Sequence, residues 1–131
     1  MSNISYLSTG RRKNAVARVS VSDGNGKIII NDKTVDEYFG GLERLKKIAL
    51  EPMVVWEGTG SCDFCVNVNG GGVGGQAGAV SHSLARVILK LNEASKTALR
   101  KEGLLTRDSR MVERKKPGRP KARKRFQFSK R

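Results

Sequence analysis

The sequence has few of the residues that usually build or cross-link a small core. Its 131 residues include four Phe, two Tyr, one Trp, two Cys and a single His. So few aromatic side chains, beside fifteen Gly, predict a small and glycine-rich core. Two cysteines do not suggest the disulfide framework of a secreted domain. The N-terminus has no apolar run of signal-peptide length, and no stretch approaches the roughly 18 apolar residues of a membrane helix, so we expect a soluble chain without membrane contact.

Acidic residues are absent from the last eighteen positions, where ten residues are Lys or Arg. This stretch, residues 114–131, carries +10 of the formal net charge of +14. Like charges in such a density repel one another, so the stretch is expected to be disordered alone and to seek a polyanion. Because neutralising phosphates releases counterions, the expected polyanion is a nucleic acid. The alternative is a solubilising tail with a loose affinity for any anion.

The first part of the chain predicts a β-hairpin. Apolar and polar residues alternate over 15–21, which is typical of a half-buried strand. Residues 23–26 (Asp-Gly-Asn-Gly) are a strong turn signal, and three Ile follow at 28–30. We therefore expect residues 15–31 to form two paired antiparallel strands.

Short elements are predicted next. Thr34 is a capping residue for a short helix that stops at Gly40. Pro52 should end a second short helix, because proline disfavours the helical conformation of the residue before it. The predicted elements are helices over 35–39 and 42–50 and strands over 54–56 and 62–69.

The second half predicts one long helix. Residues 70–78 hold six glycines in nine positions and are not expected to form regular structure. From Gln76 onward, apolar residues recur at helical spacing on one stripe. His82, Arg86 and Lys90 fall on the opposite face, where they would line a nucleic acid or face solvent. The stripe consists of Ala77, Val80, Leu84, Val87, Ile88 and Leu91.

A short helix and a connector should complete the domain. Ser95 is expected to cap the helix and Gly103 to end it. Residues 104–113 should form a connector, with one helical turn started by Asp108. Strands followed by helices predict a mixed α+β domain with a basic extension.

Two clusters are candidate phosphate contacts. Arg11, Arg12 and Lys13 precede a buried strand, where a loop would present them to a nucleic acid, unless they form an ordinary solvated cluster. The glycine run leads into the long helix, whose N-terminus offers unpaired N–H groups and the positive end of the dipole. The run lacks P-loop spacing. A dinucleotide-binding loop would need an acidic residue after a second strand to bind the ribose, and no strand precedes Glu93, the only acidic residue near that position. A tight turn or a polynucleotide phosphate site therefore remains, and the second is preferred.

Neither a metal site nor a catalytic site is expected. Cys62 and Cys65 supply only two ligands and would face opposite sides of a strand, so packing roles are expected for both. His82 has no nucleophile and orienting partner in a triad arrangement. If the protein were an enzyme, its activity would have to depend on the side chain of His82 or Cys62. No cofactor is expected. A competing nucleic-acid class is a DNA-binding protein, because residues 117–120 (Pro-Gly-Arg-Pro) resemble an AT-hook core that threads the minor groove of A·T-rich DNA.

Taken together, the chain resembles the family of the ninth protein of the small ribosomal subunit, in its bacterial and organellar form. The resemblance rests on the order of its blocks along nearly the whole chain. These are TGRRKNAVARV (9–19), IIIND (28–32), VNVNGGG (66–72), GGQAGAVSHSLAR (74–86), LLTRDSRMVERKK (104–116) and QFSKR (127–131). The sequence departs from the family at Pro117, where a Tyr is usual, which leaves Phe126 and Phe128 for stacking on RNA.

The resemblance implies a two-layer α/β sandwich with a left-handed βαβ crossover and a long extended basic C-terminal tail. Residues 1–106 would be the globular RNA-binding domain and residues 107–131 the tail. The protein would be a structural constituent of a bacterial cytoplasmic or an organellar ribosome, without catalytic activity. Its partners would be small-subunit ribosomal RNA in the head, neighbouring head proteins and the peptidyl-site transfer RNA.

The resemblance and the charge pattern together indicate the binding residues. Three residues at the end of the tail, Ser129, Lys130 and Arg131, would approach the anticodon stem-loop of the transfer RNA. The residues expected to bind ribosomal RNA are Arg11, Arg12, Lys13, Gly71, Gly72, Gly74, Gly75, Gln76, Arg86, Arg107, Arg110, Arg114, Lys115, Lys116, Arg119, Lys121, Arg123, Lys124 and Arg125.

Overall fold

A computed structural model of the chain describes residues 6–56, 62–91, 93–107, 110 and 114–124. Within these residues the fold is a mixed α+β domain with five strands and four α-helices. The strands are β1 (Tyr6–Arg12), β2 (Ala15–Asp23), β3 (Ile28–Ile30), β4 (Lys33–Thr34) and β5 (Cys62–Asn69). The helices are α1 (Val35–Phe39), α2 (Glu43–Trp56), α3 (Val73–Leu91) and α4 (Lys96–Lys101).

All five strands form one mixed sheet in the order β1-β2-β5-β3-β4. Strand β2 pairs antiparallel with β1 and β5, while β3 runs parallel to β5 and antiparallel to β4. The hairpin predicted over 15–31 is therefore wrong, because β5 lies between its two strands. Helices α1 and α2 connect the parallel strands β3 and β5, as a crossover connection requires.

The turn after β2 is anchored on β5 instead of closing a hairpin. One carboxylate oxygen of Asp63 accepts hydrogen bonds from the backbone N–H groups of Asn25 (2.9 Å), Gly26 (3.1 Å) and Lys27 (3.0 Å). These bonds, the one from Lys27 foremost, hold the pKa of the Asp63 carboxyl below its ordinary value. The predicted turn is present, but the residue that stabilises it, Asp63, lies far away in the sequence.

The start of α1 agrees with its prediction, and the end of α2 does not. The Thr34 hydroxyl accepts from the N–H of Glu37 at 3.2 Å, and Gly40 ends α1 with a φ of 59°. Helix α2 continues through Pro52 to Trp56, so the predicted stop and the strand over 54–56 are both wrong. Pro52 and Met53 are buried, and the Trp56 ring packs edge-on against Phe64 at 6.2 Å, so packing outweighs the hydrogen bond that proline cannot donate.

The predicted strand over 62–69 and the long helix are confirmed, but α3 starts earlier than expected. It begins at Val73, so residues 73–78 of the glycine run are helical and the expectation of irregular structure there is wrong. The predicted apolar stripe is buried, apart from Leu91, which is half-buried. Helix α3 packs on β1, β2 and β5, and α2 packs against α3.

Helix α4 ends as its sequence indicates. Gly103 adopts a φ of 73°, its N–H donates to Arg100 O at 3.0 Å, and Leu104 N–H donates to Leu99 O at 3.0 Å. This pattern is a Schellman motif. Ser95 occupies the N-cap position without a side-chain capping bond and ends a 3-10 turn over 93–95. The helical turn predicted at Asp108 lies outside the described residues.

The sheet has one buried face and one open face. The buried face is built from alternate residues of β2 and β5, which include Ala17, Val19, Phe64 and Val66 and meet α3. No helix in the described part of the chain is long and apolar enough to cross a membrane.

Candidate nucleic-acid interface

The three adjacent cations near the N-terminus lie at one end of the sheet. Arg11 and Arg12 are the last residues of β1, a strand that sequence reasoning missed, and not part of a loop as expected. Lys13 and Asn14 connect β1 to β2, with Lys13 in the left-handed conformation at a φ of 53°. Lys13 is exposed and Arg12 is half-buried. The strand therefore fixes the backbone that carries the cations.

The glycine run packs against this turn. A Cβ atom at Gly70 would lie 2.6 Å from Asn14 O, and one at Gly78 would lie 2.1 Å from the Arg12 Cδ atom. Gly70 and Gly71 also adopt positive φ angles of 78° and 66°. At Gly70 both the conformation and the close approach to a backbone oxygen explain why glycine occupies the position. We call residues 11–14 together with residues 70–76 the junction.

The N-terminus of α3 opens into the junction. Its first turn carries no acidic residue, and Val73 and Gly74 are exposed. A Cβ atom at Gly72 or Gly74 would meet nothing within 4 Å, so the first N–H groups of α3 are reachable from outside. Unpaired N–H groups and the positive end of the helix dipole attract an anion, and the cations of the turn add to that attraction.

Gln76 holds the glycine run in place. Its amide nitrogen donates to Gly70 O at 3.2 Å, and the hydroxyl of Tyr38 donates to its amide oxygen. Burial raises the pKa of the Tyr38 hydroxyl above its ordinary value. Gln76 was expected to bind RNA, but the structure gives both ends of its amide partners within the chain. Its role in the described geometry is to position the junction.

The polar line on α3, formed by His82, Arg86 and Lys90, contacts the outer edge of β1. The Arg86 guanidinium donates to Thr9 O at 2.6 Å, and the Lys90 ammonium donates to Leu7 O. The ring of His82 accepts from the N–H of Arg11 through Nδ1 at 3.3 Å. Arg86 and Lys90 are exposed, opposite the buried stripe as expected, but they do not face only solvent, and the expected RNA contact of Arg86 stays a prediction. The side chains of this line satisfy edge groups that would otherwise be open to another strand.

His82 also contacts the connector that leads to the tail. Because Nδ1 accepts a hydrogen bond, the neutral ring carries its proton on Nε2, which lies 3.3 Å from Leu105 O. Burial is the main cause that lowers the pKa of His82, and the charges of Arg86 and Arg107 lower it further, against the opposing effect of the Leu105 bond. The neutral imidazole thus joins β1, α3 and the connector.

Acidification is expected to destabilise the domain through His82. The lowered pKa means that the stability contributed by this group is complete above pH 6.5 and is lost as the pH falls through the folded-state value. Urea unfolding measured at about pH 7.5 and about pH 5.5 should show this loss, and His82→Gln should remove most of the difference. Equal pH dependence in both proteins would contradict the assignment. The chain has no second histidine to confuse the result.

The remaining predicted RNA-binding residues are solvent-accessible where the structure describes them. Arg119 is half-buried and donates to Arg123 O at 3.0 Å. Gly118 has a φ of 78°, and Arg119 N–H donates to Lys116 O at 3.3 Å, so this segment turns. An AT-hook needs an extended core, so the turn does not favour that alternative. Arg125, Ser129, Lys130 and Arg131 lie outside the described residues. The exposed cations are Arg107, Arg110, Arg114, Lys115, Lys116, Lys121, Arg123 and Lys124.

The two cysteines lie on opposite faces of β5, as the alternation predicts. Cys62 is half-buried on the covered face, whereas Cys65 is exposed on the open face. The packing role expected for Cys65 is therefore wrong. Among the described residues no group of His, Cys, Asp and Glu side chains is arranged to hold a metal ion.

Comparison with protein families finds a match that includes the whole junction and the basic tail. The model of the family described as ribosomal protein S9/S16 matches residues 10–131. The matched residues extend from the end of β1 to the last residue of the chain.

Proposed function

Because the chain belongs to the ribosomal protein S9/S16 family, and is thus a structural protein of the small ribosomal subunit, we propose that it binds the RNA of the subunit head through the junction. The family is structural and not enzymatic, and it places the protein on a ribosome of the cytoplasm or of an organelle. The observation that carries the proposal is the convergence of backbone-fixed cations on an open helix N-terminus. A phosphate there would meet N–H donors, the helix dipole and a cationic side chain at once.

The glycines give this site its access. A side chain at Gly72 or Gly74 would stand in open space in front of the first turn of α3, where an RNA backbone would have to approach. Gln76 holds the run against α1, so the N–H groups are positioned before RNA arrives. The proposed RNA contacts of the junction are Arg11, Arg12, Lys13, Gly71, Gly72, Gly74 and Gly75.

The proposal assigns a second role to the tail. Residues 1–106 would form the docking domain, with the left-handed crossover of the family, and residues 107–131 would follow the RNA. The tail would order on binding, and counterion release would offset its loss of conformational entropy. Its last residues, Ser129, Lys130 and Arg131, would bring positive charge to the anticodon stem-loop of the peptidyl-site transfer RNA. Neighbouring proteins of the head would complete the surroundings.

Lys13→Glu is expected to weaken binding of purified small-subunit RNA by the full-length chain. The change places a carboxylate beside the open N-terminus of α3, where it competes with phosphate. Loss of one phosphate contact lowers the slope of log affinity against log salt by about one. Lys47→Glu is the matched control, because Lys47 is exposed on α2 and changes the net charge equally. If both variants lose the same affinity and slope, the junction is not the docking site.

A further inference from the structure

We propose that the open face of the sheet is a second RNA-binding surface, which takes the shallow minor groove of an RNA duplex. This inference rests on the proposed function and names a further surface and the form of RNA that it fits. The face is formed by residues of β1, β2 and β5 that point away from α3. It includes Leu7, Thr9 and Arg11 of β1, Val16, Arg18 and Ser20 of β2, and Cys65, Asn67 and Asn69 of β5.

The strand register sets out the polar groups of this face in rows. Arg18 occupies the middle strand, with Thr9 directly opposite it on β1 and Asn67 opposite it on β5. The next row toward the junction holds Arg11, then Val16 and Asn69. Directly opposite residues have Cβ atoms about 5 Å apart, so the row through Arg18 is continuous and polar. Val16 interrupts the next row, and the exposed Leu7 lies opposite Ser20 on the other side.

The side chains at its centre are not engaged elsewhere. Arg18, Asn67 and Asn69 are exposed, and within the described part of the chain none of them makes a side-chain hydrogen bond or ion pair. Buried residues on the other face fix the strands, so these groups are presented on a rigid support. A depression of 330 Å³ lies among them, with Leu7, Thr9, Arg18, Ser20 and Asn67 in its lining.

The charge of the face suits a polyanion. Arg11 and Arg18 are its cations, and the only carboxylate on these rows among the described residues is Asp63, opposite Ser22 at the far end. That carboxylate already accepts three backbone N–H groups from the turn after β2. The centre of the face is therefore positive and carries no competing acidic group.

The composition of the face favours duplex RNA over single-stranded nucleic acid and over a protein partner. No aromatic side chain lies on it in the described part of the chain, so it offers no stacking platform for unpaired bases. A protein interface would be enriched in aromatic residues and Met as well as Arg, and of these the face carries only Arg in the described part of the chain. Amide and hydroxyl groups suit ribose 2′-OH groups and base edges, which the wide minor groove of RNA displays, while arginines suit the flanking phosphates.

The position of the face makes it an extension of the junction. Arg11 belongs to both, and Asn69 immediately precedes Gly70, so the last polar row borders the glycine run. An RNA segment whose phosphate lies at the N-terminus of α3 can therefore continue across this end of the sheet onto the open face.

Binding of the full-length chain to a short blunt RNA duplex tests the inference. Arg18→Gln is expected to lower the salt slope by about one, whereas Arg44→Gln, on the exposed side of α2, should leave it unchanged. Asn67→Ala should reduce the preference for the RNA duplex over a DNA duplex of the same sequence, since alanine cannot hydrogen-bond a ribose 2′-OH group. Slopes and preferences that equal those of Arg44→Gln would overturn the inference.

A steric block supplies the second measurement. In a Cys62→Ala background, a bulky maleimide on Cys65 should weaken duplex binding, while the same label on Arg44→Cys, with Cys65→Ser, should not. A label that impairs incorporation into subunits but spares duplex binding would show a protein on this face and overturn the inference.

Lys13→Glu separates the two proposals. If Lys13→Glu loses RNA affinity and the open-face variants do not, the junction binds RNA and the open face does not. If none of these variants loses RNA affinity, both proposals are wrong.

Discussion

Gly10→Ala is expected to lower the free energy of unfolding by about 3 kcal/mol, the upper part of the range for an overpacked interior. A Cβ atom at this position would lie 2.2 Å from the backbone nitrogen of Ser83 and 2.4 Å from Ala79 O. Both neighbours are backbone atoms of α3, which cannot move aside as the end of a long side chain can. Strand β1 would have to lift away from the helix and lose the bonds that its edge makes with α3.

Chemical denaturation of the full-length chain measures this effect. Gly41→Ala is the matched control, because a Cβ atom there meets nothing within 4 Å and Gly41 is exposed between α1 and α2. The control should unfold at the same denaturant concentration as the unaltered chain or slightly above it. Were the two variants to unfold together, β1 would not lie as close to α3 as the structure has it.

Removal of residues 114–131 is expected to reduce affinity for small-subunit RNA by about a thousandfold at moderate salt. The stretch carries ten of the cationic side chains and no acidic one. A chain that neutralises many phosphates derives most of its affinity from released counterions, so its salt dependence should fall in proportion to the phosphates that it no longer neutralises. Filter binding across a salt series measures both quantities.

Two further variants separate the effect of charge from that of the order of residues. A chain with the same last eighteen residues in shuffled order should recover most of the RNA affinity, since it keeps the charge. Deleting only residues 129–131 should leave ribosomal RNA binding nearly intact and weaken peptidyl-site transfer RNA on purified subunits. Unchanged transfer-RNA affinity after that deletion would remove the proposed role of the terminal residues.

Local patterns were enough to predict the elements that carry their own signal. The alternation of β2 and β5, the cap at Thr34 and the apolar stripe of α3 all appear in the structure. Strand β1 was missed because its inward positions are Ser8 and Gly10, small residues that give no apolar signal and leave room for α3. The order of the strands was missed because β5, which lies between β2 and β3, pairs with β2 across 39 to 53 residues of sequence.

In the candidate site, too, the residues recognisable from local sequence were predicted, whereas contacts between residues distant in sequence were not. The cations and glycines were singled out from composition, and the structure brings them together. Gln76 and Arg86 were expected to bind RNA, which stays a prediction. Their contacts with Tyr38 and Thr9 were not foreseen, because those partners are distant in sequence. Arg18 and Asn67 were not singled out at all. Their position opposite one another depends on the pairing of β2 with β5, which no local pattern reveals.

The side chains that close the edge of β1 also affect how the protein behaves before it meets RNA. Exposed strand edges invite other chains to add strands, which leads to aggregation. Here α3 occupies the edge of β1 through Arg86 and Lys90, and the opposite edge is β4, only two residues long and containing Lys33. Within the described residues, neither edge of the sheet therefore offers a long free strand to which another copy of the chain could add.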